Sequence, residues 1–129
     1  VTAIDKDSER LDDYRKFNYI NTICFDLETD EEWPLKNDYY DIIIVLNYLY
    51  RPKINNLINL LKTGGYLFYE TFALGNEKYG SPKNPDYLLK DKELLNLFSK
   101  ENEILSYFNG VVTEDKISVK QRCLIKKAS

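Results

Sequence analysis

Apolar and polar positions alternate along this chain in blocks that predict strands and helices in turn. Val1 to Asp5 (VTAID) is a short apolar run closed by an acid, followed by Asp7 and Ser8 as helix caps and a helical spacing through Leu11 and Tyr14. Tyr19 to Leu27 (YINTICFDL) is a second β-rich run. After an acidic, proline-containing stretch from Glu28 to Asp38, Tyr40 to Leu46 (YDIIIVL) is apolar without alternation, which predicts a strand buried on both faces of a parallel sheet. Ile54, Leu57, Ile58 and Leu61 fall at i, i+3, i+4 and i+7, so Lys53 to Leu61 is expected as an amphipathic helix stopped at Gly64-Gly65.

Tyr66 to Phe72 (YLFYETF) is a fourth strand. Ala73 to Lys90 has no periodicity but holds Gly75, Gly80, Pro82 and Pro85, and an irregular stretch of that length reads as a functional or lid-like loop. Asp91 is expected to cap a helix through Phe98 that buries Leu94, Leu95, Leu97 and Phe98. Glu103 to Thr113 and Lys116 to Ile125, separated by Glu114-Asp115, read as an antiparallel hairpin. The order β-α-β-β-α-β, then loop, helix and hairpin, predicts one α/β domain over residues 1–129, with a mostly parallel sheet and an antiparallel C-terminal hairpin.

Composition narrows the chemistry. In 129 residues, 43% are hydrophobic and 14% aromatic, which suits one packed core. Eighteen basic against 21 acidic residues give a net charge of −3, so no basic field is available for a nucleic-acid backbone, and small-molecule or protein partners are favoured. No apolar run reaches the roughly 20 residues that span a bilayer, and no basic segment precedes an apolar stretch of signal type, so the expectation is a soluble cytoplasmic protein. The absence of histidine removes Ser-His and Cys-His nucleophile pairs and His-containing zinc sites. Cys24 and Cys123 lie in strand-like runs and are expected as reduced core thiols, while Glu28 to Glu32 (ETDEE) is expected as a solvated acidic patch. The chain starts at Val1 and contains no methionine, which reads as a piece of something longer.

Several motifs, in order, resemble those of class I S-adenosylmethionine-dependent methyltransferases, entered at the second strand of that Rossmann-like fold. Asp5 in VTAIDKD, with Lys6 beside it, matches the strand-end acid that accepts hydrogen bonds from the cofactor ribose. Asp26 and Leu27 in CFDLE match the pair that receives the adenine amine and ring edge. Asn47 to Pro52 (NYLYRP) matches the segment that lines methyl donor and substrate. Tyr69 to Leu95 (YETFALGNEKYGSPKNPDYLLKDKELL) resembles a bacterial subset related to the tellurite-resistance type. The resemblance therefore implies S-adenosyl-L-methionine as cofactor, held by Asp5, Lys6, Asp26, Leu27, Asn47 and Tyr48. It implies a small-molecule acceptor near Tyr50, Arg51, Glu70, Thr71, Phe72 and Tyr79. Elementary chemistry agrees, because ligands of open α/β sheets bind beyond the carboxyl ends of strands, where Asp5, Asp26, Asn47 and Thr71 fall. A carboxylate suits a diol, aromatic faces stabilise a sulfonium, and in-line methyl transfer needs a dry, shaped site more than a histidine base. Tyr48-Leu49-Tyr50 departs from the Asn-Pro-Pro-aromatic motif of enzymes that methylate adenine or glutamine amino groups, so those acceptors lose support.

The family's first strand and glycine-rich loop have no counterpart here. That strand lies mid-sheet in the family, so its absence leaves two apolar strand edges unpaired and predicts self-association or rescue by another chain. It also predicts poor S-adenosylmethionine binding by residues 1–129 alone. Two other readings stay open: a non-enzymatic methyltransferase-like module used in protein interaction, and a nicotinamide-dependent oxidoreductase, whose last strand would run parallel to its neighbours.

Overall fold

A computed structural model describes residues 1–128, and the chain divides into two compact units, Val1–Pro34 and Leu35–Ser129. In the first, β1 (Thr2–Asp5) and β2 (Asn21–Cys24) pair in parallel, from Thr2 opposite Asn21 to Asp5 opposite Cys24. Parallel neighbours need a crossover, and α1 (Ser8–Arg15) supplies it. The helix starts where its sequence allows: the Asp7 carboxylate accepts from the Glu9 N–H at 3.0 Å, Glu9 lies in the first turn, and Arg15 lies in the last. Leu11 turns inward and Trp33 is the other buried apolar side chain of this unit.

The second unit is a four-stranded sheet in the order β3–β4–β6–β5, formed by β3 (Tyr40–Leu46), β4 (Leu61–Phe72), β5 (Asn102–Val112) and β6 (Ser118–Lys127). β3 and β4 are parallel, whereas β6 runs antiparallel to both β4 and β5. One face carries Val45, Leu67, Tyr69, Val119, Cys123 and Ile125, all buried, together with Leu57 and Leu60 of α2 (Asn56–Leu60) and Leu94 and Phe98 of α3 (Glu93–Phe98). The antiparallel hairpin is where the sequence pattern put it, and its direction removes the oxidoreductase reading.

Four elements differ from expectation, each for a physical reason. The helix after β3 is broken into a 3-10 turn, Arg51–Lys53, and the short α2, because Leu61 already opens β4. Gly64-Gly65 therefore lie inside β4 rather than beyond a helix. At Gly65 a Cβ would stand 2.9 Å from the Asp41 carbonyl oxygen, so the glycine permits the close approach of β4 to β3. Asp91 does not cap α3; Lys92, at φ +60°, precedes the helix, and Glu93 accepts from the Lys90 N–H at 2.9 Å. The third difference is β3, which is not covered on both faces: Ile42, Ile44 and Leu46 are 64%, 66% and 55% exposed. Within this unit α2 and α3 bury the opposite face, and among the described residues no helix of the unit covers this one. The fourth is Cys24, which is exposed where a core position was expected; Cys123 is buried, and both thiols are free. No helix among the described residues is long and apolar enough to cross a membrane.

Candidate functional site

In the first unit, Asp5 closes β1 and Asp26 follows β2 by two residues, so both acids stand at the carboxyl ends of adjacent parallel strands. Each holds its own turn. Asp5 Oδ1 accepts from the Asp7 N–H at 2.8 Å and Asp26 Oδ1 from the Glu28 N–H at 2.9 Å. One carboxylate oxygen of each pair therefore fixes the loop, and Oδ2 takes no hydrogen bond among the described residues. Lys6 is exposed and pairs loosely with Glu28 at 3.8 Å; Leu27 is half-buried in the turn that Asp26 forms. The Phe25 N–H donates to the Asp5 carbonyl at 3.0 Å, which extends the β1–β2 ladder up to the two acids.

In the second unit the carboxyl ends of β3 and β4 lie together. Asn47 leaves β3 in the left-handed region, φ +54°, with its N–H on the Glu70 carbonyl at 3.0 Å. The Tyr69 hydroxyl, from a fully buried ring, donates to the Tyr48 carbonyl. Tyr50 is half-buried and begins the 3-10 turn. Arg51 does not face open space. Its Nε and Nη2 donate to both Glu93 oxygens at 2.7 and 2.9 Å, while Nη1 and Nη2 reach the carbonyls of Asp86 and Leu88 at 3.0 and 2.8 Å. Burial pushes the Glu93 carboxyl up, but the Arg51 hydrogen bond, the Lys90 N–H and the charges of both residues outweigh it and hold its pKa below the usual value.

Glu70 accepts from Lys120 at 3.3 Å and from Arg122 at 2.5 Å, while Thr71 is 2% exposed and belongs to the core. Phe72 is half-buried under the Lys120 amine, 5.2 Å from its ring, and lines a cavity of about 170 Å³ with Gly80, Ser81, Lys116, Ser118 and Lys120. Tyr79, the residue before Gly80 in the chain, is exposed and is not part of the cavity lining. The stretch from Ala73 to Lys90 that read as a lid is tied down: Leu89 bridges Ala73, and buried Asn76 donates to the Pro82 carbonyl and accepts from the Val119 N–H.

No family model matches the chain, and no curated protein matches it in sequence. Solved structures do match. A SAM-dependent methyltransferase from Methanosarcina mazei superposes with a TM-score of 0.70 at 16% identity, over 99% of this chain and 82% of that one. The N-methyltransferase NodS from Bradyrhizobium japonicum gives 0.71 at 13%, over 99% and 73%. TehB from Haemophilus influenzae gives 0.68 at 18%, over 98% and 49%. The fold is that of the SAM-dependent methyltransferases.

Within this fold, sequence reasoning missed polar residues that brace the second unit's sheet against α3 and the segment before it. Gln121 is fully buried; its Oε1 accepts from the Leu94 N–H and its Nε2 donates to the Lys90 carbonyl and to Asn109 Oδ1. The signal was available as a lone amide in the inward row Val119, Gln121, Cys123, Ile125 of a period-two strand. Lys116 and Lys120, which line the cavity beside Phe72, carried no such signal, because they read as ordinary turn and strand lysines.

Proposed function

We propose that this chain is the nucleoside and acceptor portion of an S-adenosyl-L-methionine-dependent methyltransferase acting on a small molecule in the cytoplasm, and that residues 1–129 form one partial domain. The observation that carries the reading is the pair Asp5 and Asp26 at neighbouring parallel strand ends, each with one oxygen committed to its turn and the other uncommitted. That donor set fits the cofactor. Asp5, with Lys6 nearby, accepts from the ribose hydroxyls; Asp26 accepts the adenine amine while Leu27 meets the ring edge. Within the second unit by itself, Asn47 and Tyr48 are the candidates for contact with a methyl donor and Tyr50, Phe72 and Tyr79 for contact with an acceptor, while Arg51 and Glu70 are held by ion pairs inside that unit and Thr71 is buried in its core. The bound cofactor supplies an activated methyl group on a sulfonium; the chain's share is to hold reactants in line and exclude water, which histidine-free residues can do.

A non-catalytic methyltransferase-like module is the second reading. It is favoured by the internal commitments of Arg51 and Glu70, which leave those two side chains to structure rather than to an acceptor. Titrating S-adenosylmethionine and adenosine into ¹⁵N-labelled protein separates the two. Binding that shifts the amides of Asp5 to Asp7 and Asp26 to Glu28, and is weakened at least tenfold by Asp5→Ala, supports the cofactor site. Because residues 1–129 alone are expected to bind weakly, the position of the shifts decides: shifts confined to amides outside those two turns abandon the two acids in favour of the module.

A further inference from the structure

The turn between β5 and β6 carries Glu114, Asp115 and Lys116 in succession, and these charges do not cancel. Among the described residues, no ion pair joins any of the three to a partner. The Lys116 side chain instead reaches Gly80, where a Cβ would stand 3.1 Å from its Nζ. Ser118, which opens β6, is only 8% exposed, yet its hydroxyl has no hydrogen bond among the described residues. A buried hydroxyl left in that state calls for a partner. All four residues line the cavity of about 170 Å³ beside Phe72, and its whole lining comes from residues 72–120 of the second unit. Its other cation, Lys120, is already committed to Glu70 at 3.3 Å and lies over the Phe72 ring. The cavity thus offers one free ammonium, two free carboxylates, a buried hydroxyl and the apolar side chains of Phe72 and Ile117.

We propose that this cavity binds a small zwitterionic α-amino acid with an aliphatic side chain: Lys116 and the Ser118 hydroxyl donate to its carboxylate, Glu114 and Asp115 accept from its ammonium, and Phe72 and Ile117 meet its side chain. Charge decides between ligand classes. A plain anion would satisfy Lys116 but face the two turn carboxylates, and a plain cation would satisfy those and face Lys116. A molecule with both signs on neighbouring atoms pairs with each, and hydrogen bonds between charged groups are about twice as strong as neutral ones. Size agrees, because an engineered cavity of about 150 Å³ takes up benzene, so this one suits a ligand of about six to nine non-hydrogen atoms, the range from alanine to leucine. The site stands on the second unit alone and uses neither Asp5, Asp26 nor a methyl donor, so it holds or fails separately from the reading proposed above.

Titrating L-valine, isovalerate and isobutylamine at millimolar concentration into the ¹⁵N-labelled 129-residue protein tests this. Isovalerate lacks only the ammonium of valine, and isobutylamine only its carboxylate. L-valine is expected to shift the amides of Gly80, Ser81 and Glu114 to Ser118, and each single-charge analogue to bind at least tenfold more weakly. Lys116→Gln should bring L-valine down to the affinity of isobutylamine and leave isobutylamine unchanged. Glu114→Gln combined with Asp115→Asn should bring it down to that of isovalerate without weakening isovalerate; asparagine suits the left-handed φ of +58° at position 115, so the turn is kept. Amide spectra matching the parent away from the turn show that the variants fold, and the comparison of analogues on the parent needs no variant. No shifts at these amides, an analogue that binds as well as L-valine, or an L-valine affinity unmoved by both variants would each overturn the amino-acid site.

Discussion

Arg51 shows how one side chain can read as a ligand contact and act as a brace. Its guanidinium fork spans Glu93, the Asp86 carbonyl and the Leu88 carbonyl, so it ties the turn after β3 to the irregular stretch before α3. Removing it leaves a carboxylate only 15% exposed without its cation. With Arg51 itself 34% exposed, solvent softens the loss, and Arg51→Ala is expected to cost about 2 kcal/mol. Arg51→Lys should recover less than half, since an ammonium cannot span both oxygens. Urea midpoints at unchanged m-value check both. The partner predicts a pH dependence. A carboxyl held below its usual 4.5 in the fold contributes stability above that pH and loses it as the pH falls through the lowered value. Glu93→Gln should therefore flatten the acid limb of the stability profile, and an unchanged limb would remove Glu93 from the account. The cysteines give a simpler residue-scale test. Burial pushes the Cys123 thiol up to about 11, so at pH 8 roughly one part in a thousand is thiolate, whereas Cys24 is exposed. Ellman's reagent should titrate one thiol promptly in the native protein and two in denaturant.

At the scale of elements, the close pass of β4 under β3 makes the strongest prediction. Gly65→Ala would drive a methyl carbon to 2.9 Å from the Asp41 and Lys62 carbonyl oxygens, both backbone and therefore unable to swing aside. The expected cost is about 2 kcal/mol, with faster amide exchange concentrated in β3 rather than spread over the sheet. The same region shows why some of the fold was legible in the sequence and some was not. Strands announced themselves: β3 runs over the residues its apolar block marked, and the hairpin of β5 and β6 follows the break at Glu114-Asp115. The helix over Lys53 to Leu61 had the right period but the wrong extent, because Leu61 satisfies a helical spacing and a strand start equally well and tertiary pairing with Tyr40 decided for the strand. Burial of β3 on both faces was unreadable, since apolar residues report what a face is suited to and not whether anything lies on it. In the candidate site, strand-end position located Asp5, Asp26 and Asn47, but no pattern could reveal that Arg51 and Glu70 would find partners 42 and 52 residues away.

Across the whole molecule, stability is divided unevenly, and the candidate nucleoside site falls on the weaker part. The unit Val1–Pro34 has two four-residue strands, one eight-residue helix and two buried apolar side chains, Leu11 and Trp33. A two-stranded sheet of that size is marginal, and chains below about 40 residues rarely fold without added support. Amides of β1, α1 and β2 should accordingly exchange through openings far cheaper than those of β4 and β6 at the centre of the larger sheet. A ligand that binds the closed form of the small unit must add to its opening free energy by mass action, about 1.4 kcal/mol at ten times the dissociation constant. S-adenosylmethionine or adenosine held by Asp5 and Asp26 should therefore slow exchange of β1–α1–β2 roughly tenfold and leave β4 and β6 unchanged. Asp26→Ala should abolish that slowing without altering exchange in the ligand-free protein beyond the turn at Glu28. Slowing confined to the larger sheet would place the ligand elsewhere and remove the two acids from cofactor recognition, whatever the fold resembles.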